Sequence, residues 1–334
     1  MKKYNVGILG ATGAVGREMM NILEERNFPI DELRLLASPR SVGKKLTFKG
    51  EEITVKLADE NAFEGLDIVL GAASNAVAKQ LAPAIVKAGA VFVDNSSAFR
   101  MCDDVPLVIP EINADDVKKN KGIISNPNCS TIITLVAVNA INNLSKIKGM
   151  VASTYQATSG AGAEGPVELR NQMNAIVNGG EIVNSVFQYQ IAENVIPHIG
   201  GFLDNGFTAE EMKMQNEGRK ILHLPELKVT CTCVRVPVVR SHSISVTVLT
   251  EDKLTVAQVR DAVANAKGVR LYDDGEKKEY PMPLVTSGQD IVYVGRIRED
   301  LVFDNAITLW CCGDQVRKGA ATNAIQIAEA VING

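Results

Sequence analysis

The sequence predicts an α/β protein with two domains, an N-terminal domain built on a parallel sheet and a second α+β domain containing a largely antiparallel sheet. A chain of 334 residues is long enough for two domains of ordinary size, each with its own core. As far as residue 144, short apolar strands alternate with helical segments, which is typical of a parallel sheet. Beyond that point the pattern becomes rich in strands, which favours a largely antiparallel sheet.

The composition excludes some classes of function and indicates the cellular compartment of the protein. The net charge of −4 at pH 7 argues against general nucleic-acid binding, which needs a basic surface. No apolar stretch of the sequence approaches the length of a membrane span. The six cysteines match neither a disulfide framework nor a zinc-site spacing, and such thiols suit a reducing compartment. We therefore expect a cytoplasmic protein that uses no metal and binds neither nucleic acid nor a membrane.

The first motif is a glycine turn between a strand and a helix. The apolar residues 6–9 predict the strand, residues 17–26 have helical spacing, and Gly10, Gly13 and Gly16 lie between them. Glycines at such a turn let the backbone approach a pyrophosphate, which binds at the N-terminus of the helix. The spacing is G-x-x-G-x-x-G, without the lysine of a P-loop. Because the turn lies between a strand and a helix, it indicates a Rossmann-like, dinucleotide-binding domain.

The second strand, at residues 33–37, bears on which dinucleotide binds. A site for NAD usually has an acidic residue at the end of this strand, which accepts hydrogen bonds from the ribose hydroxyls. Here the strand continues into Ser38-Pro39-Arg40-Ser41, which has no acid but has a guanidinium between two hydroxyls. Such a group suits a 2′-phosphate, so we expect NADP. The alternative is that Arg40 is a solvated loop charge.

The first domain continues with alternating elements. We predict strands at residues 67–73, 90–93 and 123–124 and a helix at residues 75–88. Arg100 follows the strand 90–93 in a loop. Ligands of open parallel sheets bind at the carboxyl ends of the strands, where Arg100 would meet a phosphate or a carboxylate. A loop arginine is otherwise a solvated surface charge.

A cysteine follows the strand 123–124 almost directly. The chain turns at Pro127 and residues 132–142 favour a helix, so Asn128 is a candidate N-cap and Cys129 belongs to the first turn. Unpaired N–H groups and the helix dipole favour a thiolate there, which is the form that attacks a carbonyl carbon. At the carboxyl end of a strand, Cys129 would face the nicotinamide. The competing interpretation is a small buried cysteine in a crossover connection.

The second half combines strands with capped helices. We predict strands at residues 150–154, 229–239, 243–249, 291–294 and 307–310, and helices at residues 166–177, 208–222, 255–266 and 318–332. Thr208 and Glu211 form a capping box. Residues 155–162 form a small-residue loop and residues 179–207 a long irregular segment. The last helix is expected to pack on the first domain, which then comprises residues 1–127 and 314–334, and the second domain comprises residues 128–313.

A nucleophilic cysteine that works with NADP would oxidise an aldehyde through a thiohemiacetal and a thioester, and proton transfer needs a base. The chain has three histidines, His198, His223 and His242. His223 ends a predicted helix, where positive charge is favoured structurally, and His198 lies in the irregular segment. His242 lies in the turn between two predicted strands, close behind Arg235. By elimination it is the best base, although a lone histidine is more often structural.

Several motifs together resemble those of the aspartate-β-semialdehyde dehydrogenase family. They are the glycine turn, Asn126-Pro127-Asn128-Cys129-Ser130-Thr131, Gln156 with Ser159-Gly160-Ala161-Gly162, Glu210 with Lys213, Arg235 with His242, and Arg317-Lys318-Gly319-Ala320-Ala321-x-Asn323-Ala324. The resemblance extends from the first strand to the last helix. It implies the reversible, NADPH-dependent conversion of L-4-aspartyl phosphate to L-aspartate 4-semialdehyde and inorganic phosphate, on the route to lysine, methionine and threonine.

The resemblance also implies the roles of individual residues. Cys129 would be the nucleophile that forms the thioester, and His242 the acid/base. Asn128 and Gln156 would orient the substrate, with Arg235 on its α-carboxylate, Glu210 on its α-ammonium, and Arg100 and Lys213 on the phosphate. NADP contacts would come from Gly10, Thr12, Gly13, Ala14, Val15, Gly16, Arg40, Ser41, Ser159, Gly160 and Gln315. The family is typically a homodimer built through the second, catalytic domain, with a homotetramer as the larger alternative.

Two alternatives to this function stay open at the level of the sequence. The related N-acetyl-glutamyl-phosphate reductases share the domain plan, but their acetylated substrate has no free ammonium and would not require Glu210. From a different class, the chain could be a non-catalytic NADP sensor in which Cys129 is structural. Glu210 and Lys213 are three residues apart on one helix and share a face, so they are also compatible with a surface salt bridge.

Overall fold

The computed structural model describes residues 2–333, which divide into two compact units. Unit 1 comprises residues 2–128 and 320–333, and unit 2 comprises residues 129–319. The boundaries expected from the sequence differ from these at two places. Asn128 belongs to unit 1, and residues 314–319 belong to unit 2 because the chain re-enters unit 1 only at Ala320. Within the described residues, no helix is both long and apolar enough to cross a membrane.

Both units contain strands and helices. In chain order, the strands are β1 (Tyr4–Leu9), β2 (Ile30–Ala37), β3 (Lys45–Phe48), β4 (Glu51–Thr54), β5 (Lys56–Leu57), β6 (Ile68–Gly71), β7 (Val91–Asp94), β8 (Ile123–Ser125), β9 (Ile147–Gln156), β10 (Lys228–Arg235), β11 (His242–Thr250), β12 (Val269–Leu271), β13 (Val292–Glu299) and β14 (Ala306–Gly313). The helices are α1 (Ala14–Glu25), α2 (Asn75–Lys87), α3 (Pro110–Asn113), α4 (Cys129–Asn142), α5 (Glu164–Asn178), α6 (Ala209–Ile221), α7 (Val256–Ala264), α8 (Pro283–Thr286) and α9 (Thr322–Asn333).

Unit 1 is a parallel sheet with strand order β5-β2-β1-β6-β7-β8. The order reverses direction at β1, where the chain has to cross over, and in such sheets ligands bind at this switch point. Val6 and Ile8 of β1 share one buried core cluster with Ile325 and Ala328 of α9. The last helix therefore packs in unit 1, as predicted, but it begins at Thr322, after a π-helical turn over Arg317–Ala321.

Unit 2 is a mixed sheet with strand order β10-β9-β11-β14-β13-β12. The pairs β9/β11, β11/β14 and β13/β14 are antiparallel, whereas β10/β9 and β12/β13 are parallel. This confirms a largely antiparallel sheet. The strand predicted at residues 229–239 ends at Arg235 instead. Beyond it, the carbonyls of Val238 and Val239 accept hydrogen bonds from the amides of Thr158 and Ser159. As a result, β10 and β11 each pair with β9 and do not pair with each other. His242 begins a strand and does not lie in a turn.

The helices of unit 2 follow their sequence signals closely. The predicted capping box of α6 is complete, with Thr208 as the N-cap. The start of α7 has a second complete capping box, with Thr255 as the N-cap. No helix or strand is present in residues 179–207, as predicted. Helix α4 is buried on nearly all sides, which is typical of a helix at the centre of a domain core. The β3–β4 hairpin, β5, β12 and the four-residue helices α3 and α8 were not predicted, because such short elements have no periodicity to detect.

Candidate active site

Three strand ends meet at one edge of the unit 2 sheet. Gln156 ends β9, Arg235 ends β10 in register with it, and His242 begins β11 on the other side of β9. The peptide groups of Ala157 connect two of these side chains. Its carbonyl accepts from Arg235 Nη1 at 2.6 Å, and its N–H donates to His242 Nδ1 at 3.0 Å. The fold therefore brings Ala157 into contact with two side chains that lie 78 and 85 positions further along the chain.

Helix α6 adds a carboxylate and an ammonium to this edge. Glu210 Oε1 accepts from Gln156 Nε2 at 3.2 Å, and Glu210 Oε2 lies 2.8 Å from Lys213 Nζ. The side chain of Glu210 is only 10% exposed, against 30% for Lys213. Glu210 and Lys213 do form a salt bridge, but the carboxylate of Glu210 lies inside the site. The capping residue Glu211 fixes the start of α6 to β10, because its Oε1 accepts from the amide of Cys233 at 3.0 Å.

Cys129 is the first residue of α4 and is half-buried. Gly319 lies directly behind it, since a Cβ on that glycine would be 3.0 Å from the Cβ of Cys129. Burial lowers the pKa of the Arg235 guanidinium, and negative charge on Cys129 and Glu210 raises it in opposition. The guanidinium therefore lies within electrostatic range of the sulfur, and its positive charge favours the thiolate. This cation adds to the effect of the α4 N-terminus, which also favours a thiolate.

His242 is fully buried, and its imidazole is held neutral. Burial lowers its pKa to about 3, with a further contribution from the positive charge of Arg235, whereas Glu210 and a backbone hydrogen bond at Ser241 act in the opposite direction. Its Nε2 has no hydrogen-bond partner within residues 2–333. This nitrogen borders the Cα of Gly160, where an added Cβ would lie 3.2 Å from Nε2 and 2.8 Å from Arg235 Nη1. A buried polar atom without a partner is costly, so this position suits a ligand that accepts a hydrogen bond.

Ser159, Gly160 and Gln315, which the family resemblance assigns to the cofactor, all lie beside His242 in unit 2. The side chain of Gln315 is buried and bridges two segments. Its Oε1 accepts from the amide of Ser241 at 2.7 Å, and its Nε2 donates to Ser159 Oγ. Ser241 precedes His242 and has a left-handed φ of 75°. Gln315 thus supports the backbone that presents the imidazole.

The glycine turn of unit 1 has the geometry of a dinucleotide cradle. Gly10 has a φ of 89°, and a Cβ on it would lie 2.4 Å from the carbonyl oxygen of Ala72. A Cβ on Gly16 would lie 2.4 Å from the oxygen of Gly10, so neither position accepts a side chain. Gly13 is the N-cap of α1 and offers no side-chain cap, so the helix N-terminus that begins with Ala14 and Val15 remains available to an anion.

The residues expected at the 2′-phosphate lie next to this cradle. Thr12 Oγ1 is 3.3 Å from Ser41 Oγ, which joins the glycine turn to the 3₁₀ turn Pro39–Ser41. Arg40 is exposed on that turn. The structure thus brings the two predicted groups of cofactor residues of unit 1 together, and its residues fit a nicotinamide dinucleotide.

Arg100 is buried in unit 1 rather than solvated. Its Nε donates to the carbonyl of Asn126 at 2.9 Å and its Nη2 to the carbonyl of Asn95 at 2.7 Å, at the carboxyl ends of β7 and β8. Asn126 is in turn fixed by two side chains. Its amide donates to Asn95 Oδ1 at 2.7 Å, and its Oδ1 accepts from Asn323 Nδ2 at 2.6 Å. The structural role of Asn95 was not predicted, although its place just after a strand was a usable signal.

Comparison with known proteins agrees with this geometry. The family model described as "Semialdehyde dehydrogenase, NAD binding domain" matches residues 5–120, and "Semialdehyde dehydrogenase, dimerisation domain" matches residues 138–318. The aspartate-semialdehyde dehydrogenase of Aquifex aeolicus (strain VF5) is 52% identical over 333 residues, 98% of each chain.

Solved structures show the same similarity. Aspartate semialdehyde dehydrogenase II of Vibrio cholerae, complexed with ASA, is 42% identical and matches with a TM-score of 0.97 over 100% of this chain and 99% of that one. Aspartate semialdehyde dehydrogenase of Candida albicans, with NADP, is 25% identical with a TM-score of 0.76 over 99% of each chain. On this identity over nearly its whole length, the chain belongs to the aspartate-semialdehyde dehydrogenase family, and its first unit is a nicotinamide-dinucleotide-binding domain.

Proposed function

We propose that this protein reversibly converts L-4-aspartyl phosphate to L-aspartate 4-semialdehyde and phosphate, with NADP as its cofactor and a thioester on Cys129 as the intermediate. The observation that carries the proposal is the set of charges around the Cys129 thiol. A cationic group, Arg235, and an anionic group, Glu210, lie on the same sheet edge, and Lys213 contacts Glu210. A zwitterionic amino-acid aldehyde needs both signs of charge.

Each charged group then has a partner in the substrate. Arg235 binds the α-carboxylate, for which a guanidinium offers two parallel donors, and Glu210 binds the α-ammonium. Lys213 binds the phosphate, and Arg100 of unit 1 is the second proposed phosphate ligand. Gln156 contacts Glu210 at 3.2 Å, so it orients the carboxylate and, with Asn128, the substrate. An N-acetylated glutamyl substrate has no ammonium for Glu210, which favours the aspartyl compound over that alternative.

The chemistry of the chain is nucleophilic catalysis. The Cys129 thiolate attacks the acyl carbon of aspartyl phosphate, and phosphate leaves the thioester behind. When bound, the nicotinamide supplies a hydride to that carbon. Cys129 then departs as a thiolate, stabilised by the N-terminus of α4 and by Arg235. His242, which is buried beside Arg235, is the proposed acid/base and acts on the substrate's carbonyl oxygen through Nε2.

NADP, rather than NAD, is proposed from the end of β2. Residues 38–41 include no acid that could accept from the ribose hydroxyls. Arg40 is exposed and precedes Ser41, whose Oγ is 3.3 Å from Thr12 Oγ1. A related structure from Candida albicans has NADP. We also propose a homodimer formed through unit 2, because the matching family model is described as a dimerisation domain and β9 exposes the apolar side chains of Val151 and Tyr155.

One assay tests this function. Purified protein is given L-aspartate 4-semialdehyde, inorganic phosphate and NADP, and NADPH formation is followed with each component omitted in turn. We expect turnover that requires phosphate and that is much slower with NAD. Turnover of N-acetyl-glutamate semialdehyde in preference to the aspartyl compound would establish the alternative reductase. No NADPH with either aldehyde, together with tight NADP binding, would favour the sensor.

A further inference from the structure

The irregular segment 179–207 is held in place by a buried carboxylate of α5. Glu168 on this helix is only 4% exposed and accepts four hydrogen bonds, with donor–acceptor distances from 2.5 to 3.2 Å. The donors are the amide and hydroxyl of Ser185 and the amides of Val186 and Phe187. Burial raises the pKa of this carboxyl group, but these hydrogen bonds together hold it below its ordinary value. Glu168 is therefore a buried anion that fixes the backbone of the segment.

A second side chain of α5 holds the same segment further along. Gln172 is 1% exposed, and its Oε1 accepts from the amides of Ile191 and Ala192 at 2.9 and 3.0 Å. Because a buried amide group is expensive to leave unpaired, each of these bonds favours one conformation of the backbone. Residues 185–192 are thus fixed to α5 although they form no helix or strand.

The segment that α5 fixes reaches Arg235 at two points. The backbones of Ile196 and Arg235 exchange two hydrogen bonds, of 2.9 and 2.8 Å. The guanidinium of Arg235 lies over the ring of Phe187, with its Cζ 5.8 Å from the ring centroid, which is within the range of a cation–π contact. Nη1 of the same guanidinium donates to the carbonyl of Ala157. A carbonyl at one nitrogen and an aromatic face under the plane together determine how this buried cation is oriented.

We infer that Phe187 is a positioning residue for the substrate: its ring, fixed through Glu168, holds the Arg235 guanidinium in the orientation that receives the α-carboxylate, and so makes the enzyme select aldehydes that carry this group. The inference rests on the proposed function, in which Arg235 binds the α-carboxylate. A guanidinium is a rigid planar fork, so its two parallel bonds to a carboxylate weaken when the plane rotates. The competing explanation is that Phe187 only fills the core cluster that it shares with Leu169 and Ile196.

Two aldehydes separate these explanations. L-Aspartate 4-semialdehyde and 3-aminopropanal differ only in the α-carboxylate, and Phe187→Leu removes the aromatic face but keeps an apolar side chain in the core. We expect Phe187→Leu to raise KM for aspartate semialdehyde about tenfold, with a smaller change in kcat, and to leave kcat/KM for 3-aminopropanal within about twofold. Ile191→Val, which removes one methyl group from the same core cluster, is the matched control and should not change the preference between the two aldehydes. Equal losses for both aldehydes in Phe187→Leu, or no loss for either, would overturn the inference.

A double-mutant cycle tests whether Phe187 acts through Arg235. In Arg235→Lys the planar fork is replaced by a point charge, which has no plane to orient. We therefore expect Phe187→Leu to raise KM for aspartate semialdehyde by less than about twofold in the Arg235→Lys background, against about tenfold in the parent. The same tenfold increase in both backgrounds would mean that the two residues are independent, and the inference would be wrong.

Glu168→Gln provides a test that leaves the ring itself intact. The amide has one acceptor oxygen, so its NH2 group would face a backbone amide at Ser185 or at Phe187 and would displace the segment. We expect the same selective loss for the aldehyde with a carboxylate, whereas Glu164→Gln, at an exposed position of α5, should match the parent. A parent that turns over aspartate semialdehyde and a folded Glu168→Gln with an unchanged preference would refute this inference alone. A parent without turnover would refute the proposed function as well.

Discussion

The cofactor cradle of unit 1 and the charged site of unit 2 are built in opposite ways. The cradle is a continuous stretch that we expect to bind through its backbone amides, and its tight turn requires glycine because neither Gly10 nor Gly16 has room for a side chain. The unit 2 site is made of side chains from five elements, and the hydrogen bond between Ala157 and His242 joins residues 85 positions apart. Local spacing determines the first, and packing of strand ends determines the second.

This difference predicts where substitutions are costly. In unit 2 most of the functional groups are buried, and several are hydrogen-bonded to one another, so one change disturbs several contacts. In unit 1 the side chain predicted to select NADP, Arg40, is exposed. Its loss should therefore weaken binding of the 2′-phosphate and change little else. The following experiments run from the largest expected effect in unit 2 to the smallest in unit 1.

Replacing the nucleophile should cause the largest loss. Cys129→Ser keeps nearly the same shape but gives a far weaker nucleophile, so we expect kcat to fall by at least about a thousandfold. The matched control is Cys102→Ser, at an exposed cysteine, which should stay within twofold of the parent. Phosphate-dependent NADPH formation is the measurement. If Cys129→Ser retained substantial turnover, the thioester would have no place in the mechanism.

A single methyl group at Gly160 should be nearly as damaging. In Gly160→Ala the new Cβ would lie 2.8 Å from Arg235 Nη1 and 3.2 Å from His242 Nε2, and both side chains would have to shift. Because displacement of about 1 Å costs roughly a hundredfold, we expect kcat/KM to fall by about that factor without loss of the fold. Gly275→Ala is the control, since a Cβ there meets no atom within 4 Å. Equal activity of the two variants would place the reacting atoms elsewhere.

The buried imidazole should also affect stability in acid. The folded pKa of His242 is about 3, against an ordinary value of 6.5, so below pH 6.5 the unfolded chain binds a proton that the native chain does not. The unfolding free energy should therefore fall as the pH drops from 6.5 toward 3, by about 2 kcal/mol at pH 5 from this group. Urea unfolding at pH 7 and pH 5 measures it. His242→Gln should lose less stability between these pH values than the parent or His223→Asn, and equal losses would rule out a neutral buried ring.

Arg40→Ala should have the smallest effect and the most selective one. Removing one charge-assisted contact to a 2′-phosphate should weaken NADP binding about tenfold, equivalent to about 1.4 kcal/mol, and leave NAD binding within twofold. Lys56→Ala, at another exposed cation of unit 1, is the control and should change neither affinity. The dissociation constants of both dinucleotides are the measurement. Parallel losses for NADP and NAD would remove Arg40 from the 2′-phosphate site.

The sequence was most informative where a signal is local. The G-x-x-G-x-x-G spacing, the capping box of Thr208 and Glu211, and the start of a helix at the cysteine all depend on neighbouring residues, and all are present in the structure. The position of Arg235 beside the site was expected only from the family resemblance. The structure explains it by the parallel pairing of β10 with β9 across a long sequence separation.

What the sequence did not predict depends on tertiary pairing. His242 was placed in a turn because Val238 and Val239 have the apolar character of a strand, yet their backbone bonds the loop after β9 instead. The hydrogen bond from the Ala157 amide to His242 Nδ1 likewise leaves no trace in side-chain patterns. The same is true of Gln315, which meets Ser241 and Ser159 only once the sheet has formed.

The most direct test of the central claim is the relative rate at which iodoacetate alkylates Cys129 and Cys102 near pH 7, read by peptide mass spectrometry. Exposure alone favours Cys102, which is exposed, over the half-buried Cys129. The thiolate at the start of α4, next to Arg235, should reverse that order, so we expect Cys129 to be modified first and more slowly in Arg235→Leu. Modification of Cys102 first, with Cys129 left intact, would contradict a nucleophilic thiolate and with it the proposed catalysis.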